Sequence, residues 1–175
     1  MSEDEPALRA DFDLPEPPSE SVDPSVAGRI HRLVTSQEYA VLCTQGEGQP
    51  YASIVAFAFS DDLAHATFAT PTATRKYRLL SECDRVALLV DNRSEGQDRM
   101  MGIEAVTATG RTRLLERGRD WERWSSLLIH RHPQLESFVA APTSALFLID
   151  IVRYFHVSRF QEVLQWRPMT TGSSR

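Results

Sequence analysis

Ala69-Thr-Pro-Thr-Ala-Thr-Arg-Lys-Tyr-Arg-Leu-Leu80 is the stretch on which the reading of this chain turns. An apolar run ends there, threonines recur at 70, 72 and 74, and Arg75 and Lys76 stand side by side where helical spacing begins. Thr72 or Thr74 is placed to cap a helix running to about Glu82, with Tyr77 and Leu79 or Leu80 on its inner side. Hydroxyls and adjacent cations at a helix start suit an anion, most simply a phosphate. The same residues also describe an ordinary helix cap with two surface charges. Lys76 is the only lysine in the chain; the other 18 of the 19 basic residues are arginine.

On both sides of this stretch the hydrophobic period is two. Tyr39–Thr44, Tyr51–Phe59 and His65–Thr70 read as strands joined by turns at Gln45–Pro50 and Asp61–Asp62, an antiparallel meander. Arg85–Asp91 is a fourth, almost wholly apolar strand, and Asn92–Met101 is a polar loop. Ile103–Leu115 follows as a long strand bent near Gly110. After Gly118 the pattern turns helical, with Trp121, Trp124, Leu127 and Leu128 on one face. Pro133 opens a short helix to about Ala140, closed by Pro142. Ala145–Ile151 and Tyr154–Phe160 read as two strands, and Val163–Trp166 as a last short one. Near the start, Ser25 or Asp23 caps a helix carrying Val26, Ile30, Leu33 and Val34 and ending near Ser36. Six or seven strands with helices only after the third and fifth predict a mostly β fold. Its architecture is an antiparallel barrel with peripheral helices, not a doubly wound sheet.

Composition fits one domain of 175 residues, 42% hydrophobic and 25% charged. The net charge of -5 is uneven: residues 1–24 hold eight acidic groups against Arg9, which leaves +2 for the remainder. That balance is too slight to favour nucleic acid as a partner. The same 24 residues carry five of the ten prolines, so they read as a disordered acidic tail, with the folded domain at 25–168 and a second disordered tail at 169–175. No window approaches the roughly 18 apolar residues of a membrane helix, and the N-terminus lacks a signal pattern, so a cytoplasmic protein without membrane contact is expected. Cys43 and Cys83 read as reduced structural thiols.

Other chemistry has little support. His130 and His132 flank Arg131 at a helix end, where positions two apart diverge, and His65 and His156 alternate with apolar residues in strands. No metal site is expected. There is no Gly-x-Ser-x-Gly elbow, no Gly-x-Gly-x-x-Gly and no Walker A motif, so side chains must hold any phosphate. No residue can be assigned as a catalytic acid, base or nucleophile. Trp166, in Gln165-Trp-Arg-Pro168, is suited to core or interface packing, or to covering a planar ligand.

Thr70-Pro-Thr-Ala-Thr-Arg-Lys76 resembles the strand-to-helix flavin phosphate motif of the pyridoxamine 5'-phosphate oxidase family: Thr, three variable residues, Ser or Thr, Arg, Lys. Gln49-Pro-Tyr-Ala-Ser-Ile-Val-Ala-Phe57 is similar to that family's second strand, and Asp84-Arg-Val-Ala-Leu-Leu89 lies at the family's distance from the lysine. The resemblance implies an FMN-binding split β-barrel, a homodimer with FMN at its interface. It implies that Thr70, Thr74, Arg75 and Lys76 hold the phosphate, while Ser53, Ile54 and Val55 line the flavin and Trp166 approaches it. An FMN-dependent oxidoreductase is the leading expectation. A flavin- or haem-binding protein of the same fold, or a reductase using a deazaflavin, are the alternatives. Ser53 stands where the oxidase has an arginine, Ala105 where it has a glutamine, and no arginine–histidine pair stands near Trp166. A relative is expected, not the oxidase itself.

Overall fold

The computed structural model describes residues 24–93, 103–158 and 162–168. Both expected tails, and most of the Asn92–Met101 loop, lie outside the described residues, except that Pro24 already belongs to the first helix. The elements are α1 (Pro24–Ser36), β1 (Tyr39–Gly46), β2 (Gln49–Phe59), β3 (His65–Pro71), α2 (Arg75–Glu82), β4 (Arg85–Asp91) and β5 (Ala105–Leu115). After these come α3 (Arg119–Arg131), a 3-10 turn (Pro133–Leu135), α4 (Glu136–Ala140), β6 (Ser144–Ser158) and β7 (Glu162–Trp166).

All strand pairs are antiparallel, in the order β3-β2-β1-β4-β5-β6-β7. A further pairing of β3 with β6, from His65↔Asp150 to Pro71↔Ser144, closes six strands into a barrel and leaves β7 as an addition on the far half of β6. The expected mostly β barrel with peripheral helices is therefore present. Its first hairpin is tight: Glu47 and Gly48 both take positive φ (53° and 78°), as a two-residue turn matched to strand twist requires.

Alternation along the strands fills the barrel. Leu42, Phe57, Phe68, Leu88, Val106, Phe147 and Ile149 point inward and are almost fully buried. α1 lays Val26, Ile30, Leu33 and Val34 over β4, β5 and β7. A second apolar layer, with Trp124, Leu128 and Val139 against Ala58, Leu146 and Leu148, fixes α3 and α4 outside β2 and β6. The Arg131 guanidinium joins the two helical layers. It donates to the carbonyls of Val34 (2.6 Å), Thr35 (3.3 Å) and Gln37, which would otherwise be open at the end of α1.

One expectation is overturned. Ala145–Ile151 and the described part of Tyr154–Phe160 are not two strands but parts of the single 15-residue β6, Ser144–Ser158; the last two residues of the second expected strand lie outside the described residues. The register against β5 jumps between Thr109↔Arg153 and Gly110↔Ile151, so Val152 is the extra residue of a β-bulge. The bulge reverses the inward phase: Ile149 and Ile151 are buried before it, Tyr154 and His156 after it. In the sequence that reversal mimics a break.

Candidate functional site

Thr70 is the last inward residue of β3 and is 1% exposed. Its Oγ1 lies 3.0 Å from the Thr74 Oγ1. Between them the chain turns, pinned where Thr72 N donates to the Thr143 carbonyl (2.9 Å) and Thr74 N to that of Pro71 (3.2 Å). Thr74, not Thr72, is the N-cap of α2, its hydroxyl accepting from Tyr77 N at 3.3 Å. The cap consumes the N–H of the third helical residue. By the geometry of a helix start, the N–H groups of Arg75 and Lys76 have no partner within α2.

Both cations sit at this opening. Arg75 is exposed and lies over the Tyr51 ring, 5.0 Å from its centre. Lys76 reaches back to β2, where its Nζ donates to the Ile54 carbonyl at 3.2 Å. Partial burial pushes the Lys76 amine below its usual lysine range. Among the described residues neither cation has a carboxylate partner, and the first turn of α2 holds no acidic residue. Two positive charges, two hydroxyls and a helix start thus belong to one strand-to-helix junction, with no carboxylate partner among the described residues, and the Thr74 hydroxyl itself donates to the Pro71 carbonyl at 2.9 Å. That donor set fits a phosphate.

The neighbouring β2 residues divide by strand parity. Ser53 has a buried Oγ with no hydrogen-bond partner among the described residues, an orphan that suits a ligand more than a finished core. Ile54 faces out and is 70% exposed. Val55 is 4% exposed and belongs to the barrel core, so only its main chain is left to meet a ligand. A cavity of about 520 Å³ opens beside Ile54, between Ser36 and Gln37 at and after the end of α1 and the outer rung Ile54–Val41–Leu89, and Asp91 and Arg93 also line it. Sequence reasoning missed this cavity. Its walls come from α1, β1, β2 and β4, which no local pattern links.

Trp166 is not brought to the cradle within the protomer. Its ring packs on Tyr154 (5.5 Å between centres), whose hydroxyl donates to the Leu63 carbonyl at 2.5 Å. Leu63 precedes β3 and Thr70 is its last residue but one, five beyond His65, so these regions lie about 17 Å apart along that strand.

The histidines are mostly spent elsewhere. His132 is buried and its Nε2 donates to the Phe57 carbonyl at 2.9 Å. His156 is buried with Nε2 3.5 Å from Glu104, and His65 lies 3.4 Å from Asp150. Among the described residues no three His, Cys, Asp or Glu side chains cluster to hold a metal. Burial pushes the Cys43 thiol up, away from the reactive thiolate.

A closed six-stranded antiparallel barrel with an added seventh strand and peripheral helices defines a split-barrel protein. The chain belongs to the pyridoxamine 5'-phosphate oxidase family, whose pattern matches residues 27–158. It is a relative within that family and not the oxidase itself. No curated protein matches it significantly. Among solved structures, a heme binding protein from Mycobacterium smegmatis shares the fold at a TM-score of 0.74 and 17% identity, over 84% of this chain and 60% of that one. A fad-binding protein from Mesorhizobium loti matches at 0.61 and 21% identity, over 74% and 92%. A Clostridium acetobutylicum protein related to general stress protein 26, of the pyridoxinephosphate oxidase family, matches at 0.64 and 16%, over 83% and 96%. At these identities the likeness is one of fold.

Proposed function

We propose that this chain binds FMN and serves as an FMN-dependent oxidoreductase of the cytoplasm, assembled as a homodimer around the cofactor. The observation that carries the reading is the uncompensated pair Arg75–Lys76 beside Thr70 and Thr74 at the start of α2. These four residues hold the phosphate. Ser53 offers its orphaned hydroxyl, and Ile54 and the main chain of Val55 border the flavin. Bound FMN supplies hydride transfer to or from a small molecule through its N5. The protein orients the cofactor, neutralises its phosphate and excludes water on the barrel side.

The outer sheet face supports dimerisation. Ile54 (70% exposed) and Tyr39 (55%) are large apolar residues left in water on adjoining strands beside the cavity. A second copy covers them, and only across such an interface does Trp166 approach a cofactor.

Arg75→Ala and Lys76→Ala each remove a charge-assisted contact, worth about 1.5–3 kcal/mol, or roughly tenfold or more in affinity. FMN binding therefore weakens by that amount while riboflavin binding, measured by fluorescence quenching, stays constant. Equal losses for both ligands would sink the phosphate assignment.

The fold shared with the Mycobacterium smegmatis heme binding protein supports a second reading, haem binding. With His132 and His156 buried and engaged and His65 beside Asp150, His31 and His130 are the histidines left to ligate iron. The absorbance of the purified protein separates the readings. Flavin bands support FMN, a Soret band on haem addition supports haem, and bleaching of bound flavin by a reduced deazaflavin or nicotinamide marks turnover.

A further inference from the structure

We propose that Lys76 is a site of acyl transfer from acyl phosphates and that its acylation shuts off phosphate binding at the start of α2. This rests on the phosphate reading of that site. Among the described residues the Lys76 amine has one hydrogen-bond partner, the Ile54 carbonyl at 3.2 Å, and no carboxylate to hold it as ammonium. Burial lowers its pKa, so before an anion binds more of it is the neutral, nucleophilic amine than in a solvated lysine. Arg75, by sharing the charge of an anchored phosphate, limits the reprotonation that the dianion brings.

An acyl phosphate carries its leaving group as the anion this site receives. Thr70, Thr74 and Arg75 anchor the phosphate at the start of α2, the helix whose second residue is Lys76, so the acyl group is delivered to the turn that carries the amine. In the transfer, the neutral amine attacks the carbonyl carbon and a C–N bond forms. The C–O bond to phosphorus breaks, its electron pair leaves with inorganic phosphate, and the excess proton on nitrogen passes to solvent. No oxidant or metal is needed. The product amide is uncharged, so one of the two cations is lost, while its N–H still donates to the Ile54 carbonyl. Arginine occupies every other basic side-chain position in the chain, so no second side-chain amine competes.

The test is to incubate the full chain with acetyl phosphate and follow acetylation by intact mass and peptide mapping. Lys76 is expected to react at least about tenfold faster in the native protein than in the same protein unfolded in urea. Inorganic phosphate and FMN should each slow it. Arg75→Gln should cut the rate with acetyl phosphate severalfold but leave the rate with acetic anhydride, which has no phosphate to anchor, unchanged. Labelling no faster in the native chain than in urea overturns the proposal, as does equal slowing of both reagents in Arg75→Gln. So does acetylated protein that binds FMN as tightly as unmodified protein. A chain whose Lys76→Ala variant loses FMN affinity, yet whose Lys76 ignores acetyl phosphate, refutes the acylation alone and leaves the FMN reading standing.

Discussion

Lys76 shows how one side chain ties charge to cofactor affinity. Its amine sits below the usual lysine range because burial penalises the ammonium form. A bound phosphate dianion reverses that penalty, so the free protein takes up a fraction of a proton on binding when the pH lies above the amine's lowered pKa. The sign follows: FMN affinity falls as pH rises through that pKa. It also falls below about pH 6, where the phosphate itself becomes a monoanion. Titrations of FMN across pH should thus give a bell-shaped affinity, and Lys76→Arg, which stays protonated, should flatten the alkaline limb. The riboflavin profile should lack both limbs.

The hydroxyls and cations of this site were legible in the sequence because they are contiguous. Thr70, Thr74, Arg75 and Lys76 fall within seven positions of one strand-to-helix junction, and local chemistry alone dictates their convergence. Ser53 and Ile54 were legible only through the family resemblance. The nearness of Ile54 to Lys76 depends on a β2–α2 contact about twenty residues away in sequence, which no periodicity encodes.

At the scale of elements, the meander β1–β3, α2, β4 and α3 follow directly from alternation or helical spacing. β6 did not, for a reason visible at Gly110. A Cβ built there would stand 2.4 Å from the Asp150 carbonyl oxygen and 2.9 Å from Ile149 Cγ2, so β5 approaches the bulged strand more closely than any side chain permits. The glycine accommodates the extra residue Val152, and the bulge conceals the continuity of the strand. Gly110→Ala must push backbone against backbone. It should cost about 1–3 kcal/mol in chemical denaturation, as overpacking does, with FMN affinity in the folded fraction unchanged.

On the scale of the whole molecule, the barrel's outer face carries the clearest quaternary prediction. Ile54 is 70% exposed, so Ile54→Glu should leave the protomer's thermal stability nearly unaltered. If a second copy covers this face, the buried charge should shift sedimentation to the monomer and weaken FMN at least tenfold. An unchanged dimer would place the interface elsewhere. Among the described residues no helix is long and apolar enough to cross a membrane.

The closing pair β3–β6 also governs how the protein is made. β1–β5 are complete by Leu115, yet β3 and β5 both present their free edges to a strand that begins only at Ser144. At ribosomal speeds of about 5–20 residues per second, the nascent chain carries two bare sheet edges for roughly 1–6 s before their shared partner starts to emerge. Such edges are templates for pairing with other chains. The vulnerable moment in biogenesis is therefore the interval in which α3 and α4 are translated, and a slow codon or a chaperone acting there decides how much of the chain is lost to aggregation.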